Sequence, residues 1–413
     1  MFRISLLYQL SAAVAAIDLV LTGWWLHFFP RKKKTGSALW LVIVLSTQAA
    51  VLSPFLFGVD RDNGRWITAF AITVITARFF ALVFVLPDEI RRFALFIRRF
   101  FQSRRPEEIS LPDAARISRS DFLMRTAAVA SALPVGAMGA AVLHGAHDYE
   151  VKRVRIALPG LPKAFHGFKV LQLSDLHVGS FYNRFAVRGG LEMALAEKPD
   201  LLCITGDLIN VTASELIGWG DDLSKLKAPF GVLSVRGNHD YADYGQWSSP
   251  EARQKNINEI AQFHVETGWR LLENECAVVS SGNEKLVVAG TGNWSANKNL
   301  SRANMKQARS LLPGAPVHVL LQHHPGYWDR RVNAGKTTVP LQLSGHTHGA
   351  QFGVEFPHFR WSPVQYLYRQ WAGLYTDEAT GQQLYINRGF GYLGVPARLG
   401  IAPEITVFEL ESA

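Results

Sequence analysis

Three long apolar runs open the chain, at about 4–29, 37–59 and 66–86. Each is long enough to cross a bilayer as a helix, which takes roughly 20 residues. A fourth run, about 122–143, is rich in Ala and Gly and carries Pro134, which makes it the weakest of the four. Before it, Phe93, Phe96, Ile97, Phe100 and Phe101 recur at helical spacing with arginines on the other flank. That pattern predicts an amphipathic helix, lying on a leaflet or packed against the spans. From about Tyr149 the pattern changes. Apolar runs at 168–173, 201–205, 232–235, 286–289, 317–321 and 341–343 read as buried strands. Helical patterns at about 183–197, 213–226, 250–267 and 301–311 separate several of them, which predicts α/β layers.

Charge refines this division. The formal charge is +9, yet residues 1–149 hold 17 Lys and Arg against 10 Asp and Glu, leaving only +2 for the remainder. Basicity therefore belongs to the apolar third and speaks for membrane topology, with no nucleic-acid partner expected. Arg31, Lys32, Lys33 and Lys34 lie between the first two spans, and Arg91, Arg92, Arg98, Arg99, Arg104 and Arg105 follow the third. The turn between them, 60–65, is balanced in charge. Both basic loops are then cytoplasmic, and a fourth crossing places everything after it outside the cytoplasm. Asp18 and Arg78 lie at similar depth in the first and third spans and are expected to pair, since unpaired charge in hydrocarbon is costly. Ser118 to Met124 resembles a twin-arginine export signal with Ser120 in place of the second arginine. Cys203 and Cys276 do not make a disulfide framework, and Cys203 sits inside an apolar run as a buried small hydrophobe.

Candidate chemistry is confined to the region after Tyr149. Asp175-Leu176-His177, Gly206-Asp207, Gly237-Asn238-His239-Asp240, His323 and Gly345-His346-Thr347-His348 nearly all come just after a predicted strand. In open α/β sheets, sites form at the carboxyl ends of strands, so these groups are expected on one rim. Carboxylate, amide and imidazole donors in sharp Gly-flanked turns fit cation binding. His324 is expected to point away from the rim or to support it. His264 and His318 fall in helical and strand contexts and read as structural, and His144 and His147 lie at the membrane edge without a ligand partner.

The ordered set Asp-x-His, Gly-Asp, Gly-Asn-His-Asp, His and Gly-His-x-His resembles the calcineurin-like metallophosphoesterase superfamily, from about Tyr149 to the C-terminus. Asn387-Arg388-Gly389-Phe390-Gly391, Pro396-Ala397-Arg398 and Pro403-Glu404-Ile405 are similar to its membrane-associated YkuE-like branch. The resemblance implies an α/β fold with a central β-sandwich. It also implies one divalent metal on Asp175, His177, Asp207 and His348 and a second on Asp207, Asn238, His323 and His346, with Asp207 bridging. Two cations so close need a shared anionic ligand, and this donor set suits Mn, Fe or Zn. A bridging water would attack phosphorus, and His239 would stabilise the transition state or protonate the leaving oxygen. Asp240 would orient His239 or cap the following turn. Gly349-Ala350-Gln351 departs from the usual Gly-Gly-Gln by one methyl group.

The expected protein is thus a transmembrane module, residues 1–148, followed by an extracytoplasmic two-metal phosphoesterase domain, residues 149–413. Phosphodiester or pyrophosphate bonds are favoured, because a membrane-tethered site suits bulky head groups, and lipid-linked or cell-envelope substrates follow from the same reasoning. Eight aromatic residues between Phe352 and Tyr375, Trp361 and Trp371 among them, are expected to meet membrane lipid or to pack on the domain itself. Two rivals differ in class. A pyrophosphohydrolase of the UDP-diacylglucosamine type would require a cytoplasmic domain. A metal-binding membrane sensor or scaffold without turnover would have no need of His239.

Overall fold

The computed structural model describes residues 17–18, 20–21, 61–101, 119–332, 335 and 338–412. Contacts divide the chain into two compact units, Met1–Ala140 and Ala141–Ala413. The predicted spans at 4–29 and 37–59, their Arg31–Lys34 loop, and Arg104 and Arg105 lie outside the described residues, apart from 17–18 and 20–21.

In the first unit, α1 (Arg61–Phe101) is a single helix of 41 residues that runs through Pro87. It is about 60 Å long at 1.5 Å per residue, roughly twice the hydrocarbon thickness. The predicted 66–86 span and the aromatic segment 93–101 are therefore one element. Residues 61–65, expected in a turn, are helical too. Phe93, Phe96, Phe100 and Phe101 remain exposed along its last turns. Just after Pro87, the buried carboxylate of Asp88 binds Arg91 at 3.2 Å and Arg92 at 2.8 Å. Arg78 Nε lies 3.1 Å from Asp18 Oδ1, and both side chains are buried, as their matched depth predicts. α2 (Arg119–Leu143) covers the fourth apolar run and contains Pro134. Both helices are long and apolar enough to cross a membrane.

Alternation builds the second unit. In β2 (Lys169–Leu173), Leu171 and Leu173 face one way and Val170 the other; β3 (Leu201–Ile204) repeats this with Leu202 and Ile204 against Leu201 and Cys203. Strands apolar on both faces must be covered on both faces. Accordingly, β1 (Glu150–Leu158), β14 (Glu404–Ser412), β2, β3, β4 (Val232–Ser234) and β5 (Arg270–Leu271) form one six-stranded sheet in that order. The second runs β12 (Gly373–Thr376), β13 (Gln383–Ile386), β9 (Leu341–Ser344), β8 (Val319–Leu321), β7 (Glu284–Gly290), β6 (Glu275–Ser281). Their inner faces share a core of Ile156, Val170, Leu201, Cys203, Leu286, Leu321, Leu343, Tyr385 and Phe408, among others. α3 (Arg184–Ala196) and α4 (Pro250–Thr267) cover the first sheet through Val187, Leu191, Ile260 and Phe263. α5 (Met305–Ser310) and the turn at Trp328 cover the second. The result is the predicted layered α/β fold around a β-sandwich. A separate two-stranded hairpin, β10 (Val354–Phe356) and β11 (Phe359–Trp361), stands outside both sheets.

Towards one end of the sandwich the apolar core gives way to a polar seam. Gln172 Nε2 donates to Thr205 Oγ1 at 2.7 Å and to Ser344 O at 2.9 Å, which joins the two sheets. Gln322 Nε2 donates to Thr291 Oγ1 at 2.6 Å, and Ser344 Oγ donates to Gln322 O at 2.6 Å. Buried polar groups tied into such a network fix how the sheets register at that end. The candidate residues lie just beyond it.

Candidate metal centre

Each candidate string leaves the carboxyl end of a strand. Asp175 and His177 follow β2, Asp207 follows β3, and Asn238 and His239 follow β4 in one sheet; His323 follows β8, and His346 and His348 follow β9 in the other. The loops after β2 and β3 stay zipped by Asp175 N–H to Gly206 O at 2.9 Å and His177 N–H to Asp207 O at 3.1 Å. Asp175, His177, Asp207, His346 and His348 all adopt left-handed backbone, with φ from 47° to 78°. This costs about 1–2 kcal/mol per non-glycine residue, and such strain concentrates at functional sites. Two glycines make the turns possible. A Cβ on Gly237 would strike Asp207 Oδ1, and one on Gly345 would strike Ser174 Oγ and Asp175 Oδ2. The freed space lets His239 N–H donate to Asp207 Oδ1 at 2.9 Å and His346 N–H donate to Asp175 Oδ1 at 3.0 Å.

All eight candidate residues come together. Asp175, His177 and His348 form one tight group, Asp207, His323 and His346 another, and His177, Asp207 and His239 a third. Asp207 Oδ2 lies 3.1 Å from His323 Nε2 and 3.6 Å from His177 Nε2, so a single carboxylate oxygen touches both sides. His177 Nε2 approaches His348 Nε2 at 3.1 Å, and His323 Nε2 approaches Asn238 Oδ1 at 3.1 Å and His346 Nδ1 at 3.2 Å. Outward hydrogen bonds decide which ring atoms face inward. His177, His323 and His239 direct Nδ1 at the carbonyls of Ile209, Thr205 and Asn210, at 3.1, 2.8 and 2.6 Å. A carbonyl only accepts, so each Nδ1 carries hydrogen and Nε2 is the nitrogen turned to the centre, free to bind a cation once it carries no proton. Asn238 spends its amide N–H on Tyr244 Oη at 2.9 Å, leaving Oδ1 for the same centre. Donors bound at about 2.1 Å to one ion sit about 3.0–3.4 Å apart, so these separations fit a shared cation.

Electrostatics agree with this fit. Burial pushes His177 down to about 3 despite Asp207, and holds His346 and His348 well below the usual imidazole value, so these rings are neutral donors. His323 goes the other way: burial lowers it, but Asp207 and Asp175 outweigh burial and raise it to about 9. Burial would raise the Asp207 carboxyl, yet His323 and His239 hold it well below the carboxylate range. A divalent cation would take the place of the His323 proton as partner to these carboxylates.

Further residues support these donors, of which Tyr244 and Tyr368 carry no sequence signal. Asp240 neither orients the His239 ring nor caps the following turn. Its carboxylate accepts the N–H groups of Asp207, Leu208 and Gly237, each at 2.9 Å, and so holds the Asp207 loop. Tyr244 stacks on His239 at 4.4 Å, and Tyr368 Oη meets His346 Nε2 at 2.9 Å. His324 supports the rim, stacked on His346 at 4.3 Å. His264 and His318 are structural, bound to Ser234 Oγ and to the Val287 N–H. Arg398 is fully buried and donates to the carbonyls of Arg388, Gly389 and Gly391, with Nη2 3.4 Å from His348 Nδ1. Arg388 pairs with buried Glu404, which also accepts from Tyr385 Oη at 2.7 Å and Thr406 Oγ1 at 2.5 Å. Ala350 and Gln351 adopt φ of 52° and 57°, so the replacement of the usual glycine by Ala350 leaves a strained loop beside His348.

A rim of carboxylate, amide and neutral imidazole donors on an α/β sandwich defines a metal-dependent phosphoester hydrolase, and comparison with known proteins agrees. Residues 168–350 match the family described as calcineurin-like phosphoesterase, and residues 2–146 match a probable calcineurin-like phosphoesterase transmembrane domain, which marks a membrane protein. The chain is 31% identical over 306 residues to the uncharacterized metallophosphoesterase YkuE of Bacillus subtilis, covering 72% of this chain and 99% of that one. It is 28% identical over 300 residues to phosphodiesterase YaeI of Escherichia coli, covering 71% and 99%. A Bos taurus transmembrane protein with metallophosphoesterase domain is 28% identical over 278 residues, covering 66% of this chain and 59% of that protein. The chain belongs to the calcineurin-like phosphoesterase family.

The Arg388–Glu404 pair yields a pH prediction. Burial would raise the Glu404 carboxyl, but Arg388, Thr406 and Tyr385 lower it below its ordinary value. A depressed folded value means stability that is fully present above the unfolded value of about 4.3 and is lost as pH falls through the folded one. Glu404→Gln is expected to cost about 3–5 kcal/mol at neutral pH. Thermal unfolding of the full chain against pH should show the gap between native and variant narrowing below about pH 4.

Proposed function

We propose that residues 149–413 form a binuclear phosphoesterase domain behind a multi-pass membrane module of residues 1–148, and that it cleaves phosphodiester or pyrophosphate bonds. The observation that carries the binuclear reading is Asp207 Oδ2, within 3.1–3.6 Å of a ring nitrogen from each side. Asp175, His177, Asp207 and His348 would hold one divalent ion, and Asp207, Asn238, His323 and His346 the other, with Mn, Fe or Zn suited to the donors. Bound there, two such ions supply Lewis-acid charge to phosphoryl oxygens and acidify the attacking water. The protein supplies the rest. Ile209 and Thr205 carbonyls fix the ligand tautomers, Tyr244 fixes the Asn238 amide, and Asp240 fixes the backbone that carries Asp207. His239 presents Nε2 to the centre while Nδ1–H is held by Asn210 O, so Nε2 can take a proton released by the attacking water and then hand it to the leaving oxygen. A ligand-only role would not require that second, oriented imidazole.

The kinetic test uses the full chain in detergent with Mn and a soluble aryl phosphodiester. His239→Ala is expected to lower turnover by about 10²–10⁴-fold while metal remains bound, and Asp207→Asn is expected to abolish it. Equal turnover in all three proteins would overturn the proposal.

The basic segments of the membrane module support an extracytoplasmic domain. A reporter active only outside the cytoplasm, fused after His147, should be active. A cytoplasm-only reporter that works at the same position reverses the assignment and opens cytoplasmic pyrophosphates as substrates.

A further inference from the structure

The β10–β11 hairpin is built the wrong way round for a surface facing water. Its paired positions are Val354 with Trp361, Glu355 with Arg360 and Phe356 with Phe359. On a half-buried hairpin the apolar face should turn inward and the charged pair outward. Here Glu355 reaches in to pair with the buried Arg388. The Arg360 guanidinium lies over the rings of Trp371 and Tyr375 and donates to Ala372 O at 2.6 Å. Both charged side chains thus point back onto the domain, and the other face is left outside: Phe356 is 65% exposed and Phe359 58%. Beside it in sequence, Tyr366 and Leu367 are 76% and 81% exposed. Of the two alternatives for these aromatics, packing on the domain holds for Trp371, buried with Val364, Ala372 and Ile401, and Trp361 is half-covered by Phe352. The exposed residues are the phenylalanines and the Tyr366–Leu367 turn, flanked by the exposed polar residues His358 and Arg369.

This surface sits beside the entry of an apolar helix. The last residues of α2, Ala141–Leu143, belong to the second unit and are held within it: Arg398 N–H donates to Ala141 O at 3.2 Å, and Tyr182 Oη donates to Val142 O. The next residue, Leu399, holds the base of the hairpin, accepting from Gly353 N–H and donating to Gln351 O, both at 2.9 Å. Consecutive residues therefore grip the helix end and the hairpin. Only six residues separate Leu143 from β1, and they are packed, with His147 against Tyr182 at 4.8 Å. Three residues after Tyr182, Phe185 in the first turn of α3 is 88% exposed. The metal centre adjoins the same surface. Leu367 precedes Tyr368, whose hydroxyl bonds His346, and the side chain of Arg398 reaches His348.

We propose that the outer face of the β10–β11 hairpin, with Tyr366 and Leu367, rests in the headgroup layer of the bilayer that α2 enters. The metal centre is thereby presented to the phosphoesters of membrane-resident amphiphiles. Aromatic and aliphatic side chains flanked by Arg and His suit that layer. The surface stands independently of the chemistry, whereas the substrate class rests on the phosphoesterase reading.

Two measurements on the full chain in nanodiscs of phosphatidylcholine and phosphatidylglycerol test it. Cys203 and Cys276 are buried, so a fluorophore can be placed on His358→Cys and, as a control outside the patch, on Lys255→Cys. The label at 358 is expected to shift to the blue and to be quenched by nitroxide lipids, and the label at 255 to do neither; a water-exposed label at 358 overturns the docking surface. In the second, a double variant, Phe356→Asp with Leu367→Asp, is offered a soluble aryl phosphodiester and its hexadecyl ester embedded in the disc. Turnover of the embedded ester should fall by about tenfold or more, and that of the soluble ester by less than about twofold. Equal effects on both esters, or none, overturn the assignment of substrate class. No turnover of either ester by the native chain would defeat the phosphoesterase reading itself, and the labelled positions would still decide the surface.

Discussion

The arrangement of the whole rim depends on how many groups one carboxylate can organise. Asp207 sits in a left-handed turn at the end of β3, where its side chain meets His323 and His177 and accepts the N–H of His239. Its own N–H is taken by Asp240, four residues along the string that also carries Asn238. Burying that charge is costly unless it is partnered, and its partners come from three other strand ends, those of β2, β4 and β8. The strain of five left-handed residues and the desolvation of two aspartates must be offset elsewhere. The sandwich core and the seam through Gln172, Gln322 and Ser344 provide that offset and fix the distance between the two sheets.

A second buried cluster connects this centre to the end of an apolar helix. Arg398 bonds Ala141 through its backbone, gathers three carbonyls of the 388–391 loop with its guanidinium, and ends against His348. Burial lowers its pKa to about 10, partly offset by Asp175, Tyr149 and Glu404, which still leaves it charged at neutral pH. Glu404 and Arg388 beneath it carry the inward-turned Glu355 of the hairpin. Residues that form the centre and the charged residue that anchors the hairpin therefore share one network.

The residues of the centre were legible because cation binding leaves few choices of side chain, and the turns that bring donors together demand glycine at positions such as 237 and 345. The doubly buried strands were legible from apolar runs, and α4 from its periodicity between Ser249 and Gly268. What escaped was set by long-range geometry. The parallel pairing of β1 with β14 joins opposite ends of the domain, and nothing local in Glu150–Leu158 announces it. The segment 213–226, expected as one helix, breaks into a turn at Ala213–Leu216 and a short helix at Gly220–Leu223, because Gly218 takes a φ of 82° between them. Tyr244 and Tyr368 carry no motif and gain meaning only from where their loops land. The aromatic segment after Phe352 was recognisable as unusual, but which of its rings turn inward depended on the charged pair of the hairpin.

The bridging role of Asp207 is tested most directly by counting metal. Plasma mass spectrometry of the purified full chain, after loading with Mn and removal of excess, should find two ions per chain, and Asp207→Asn should retain fewer than one. A native chain that holds a single ion, or an Asp207→Asn variant that still holds two, would contradict a centre built around one shared carboxylate.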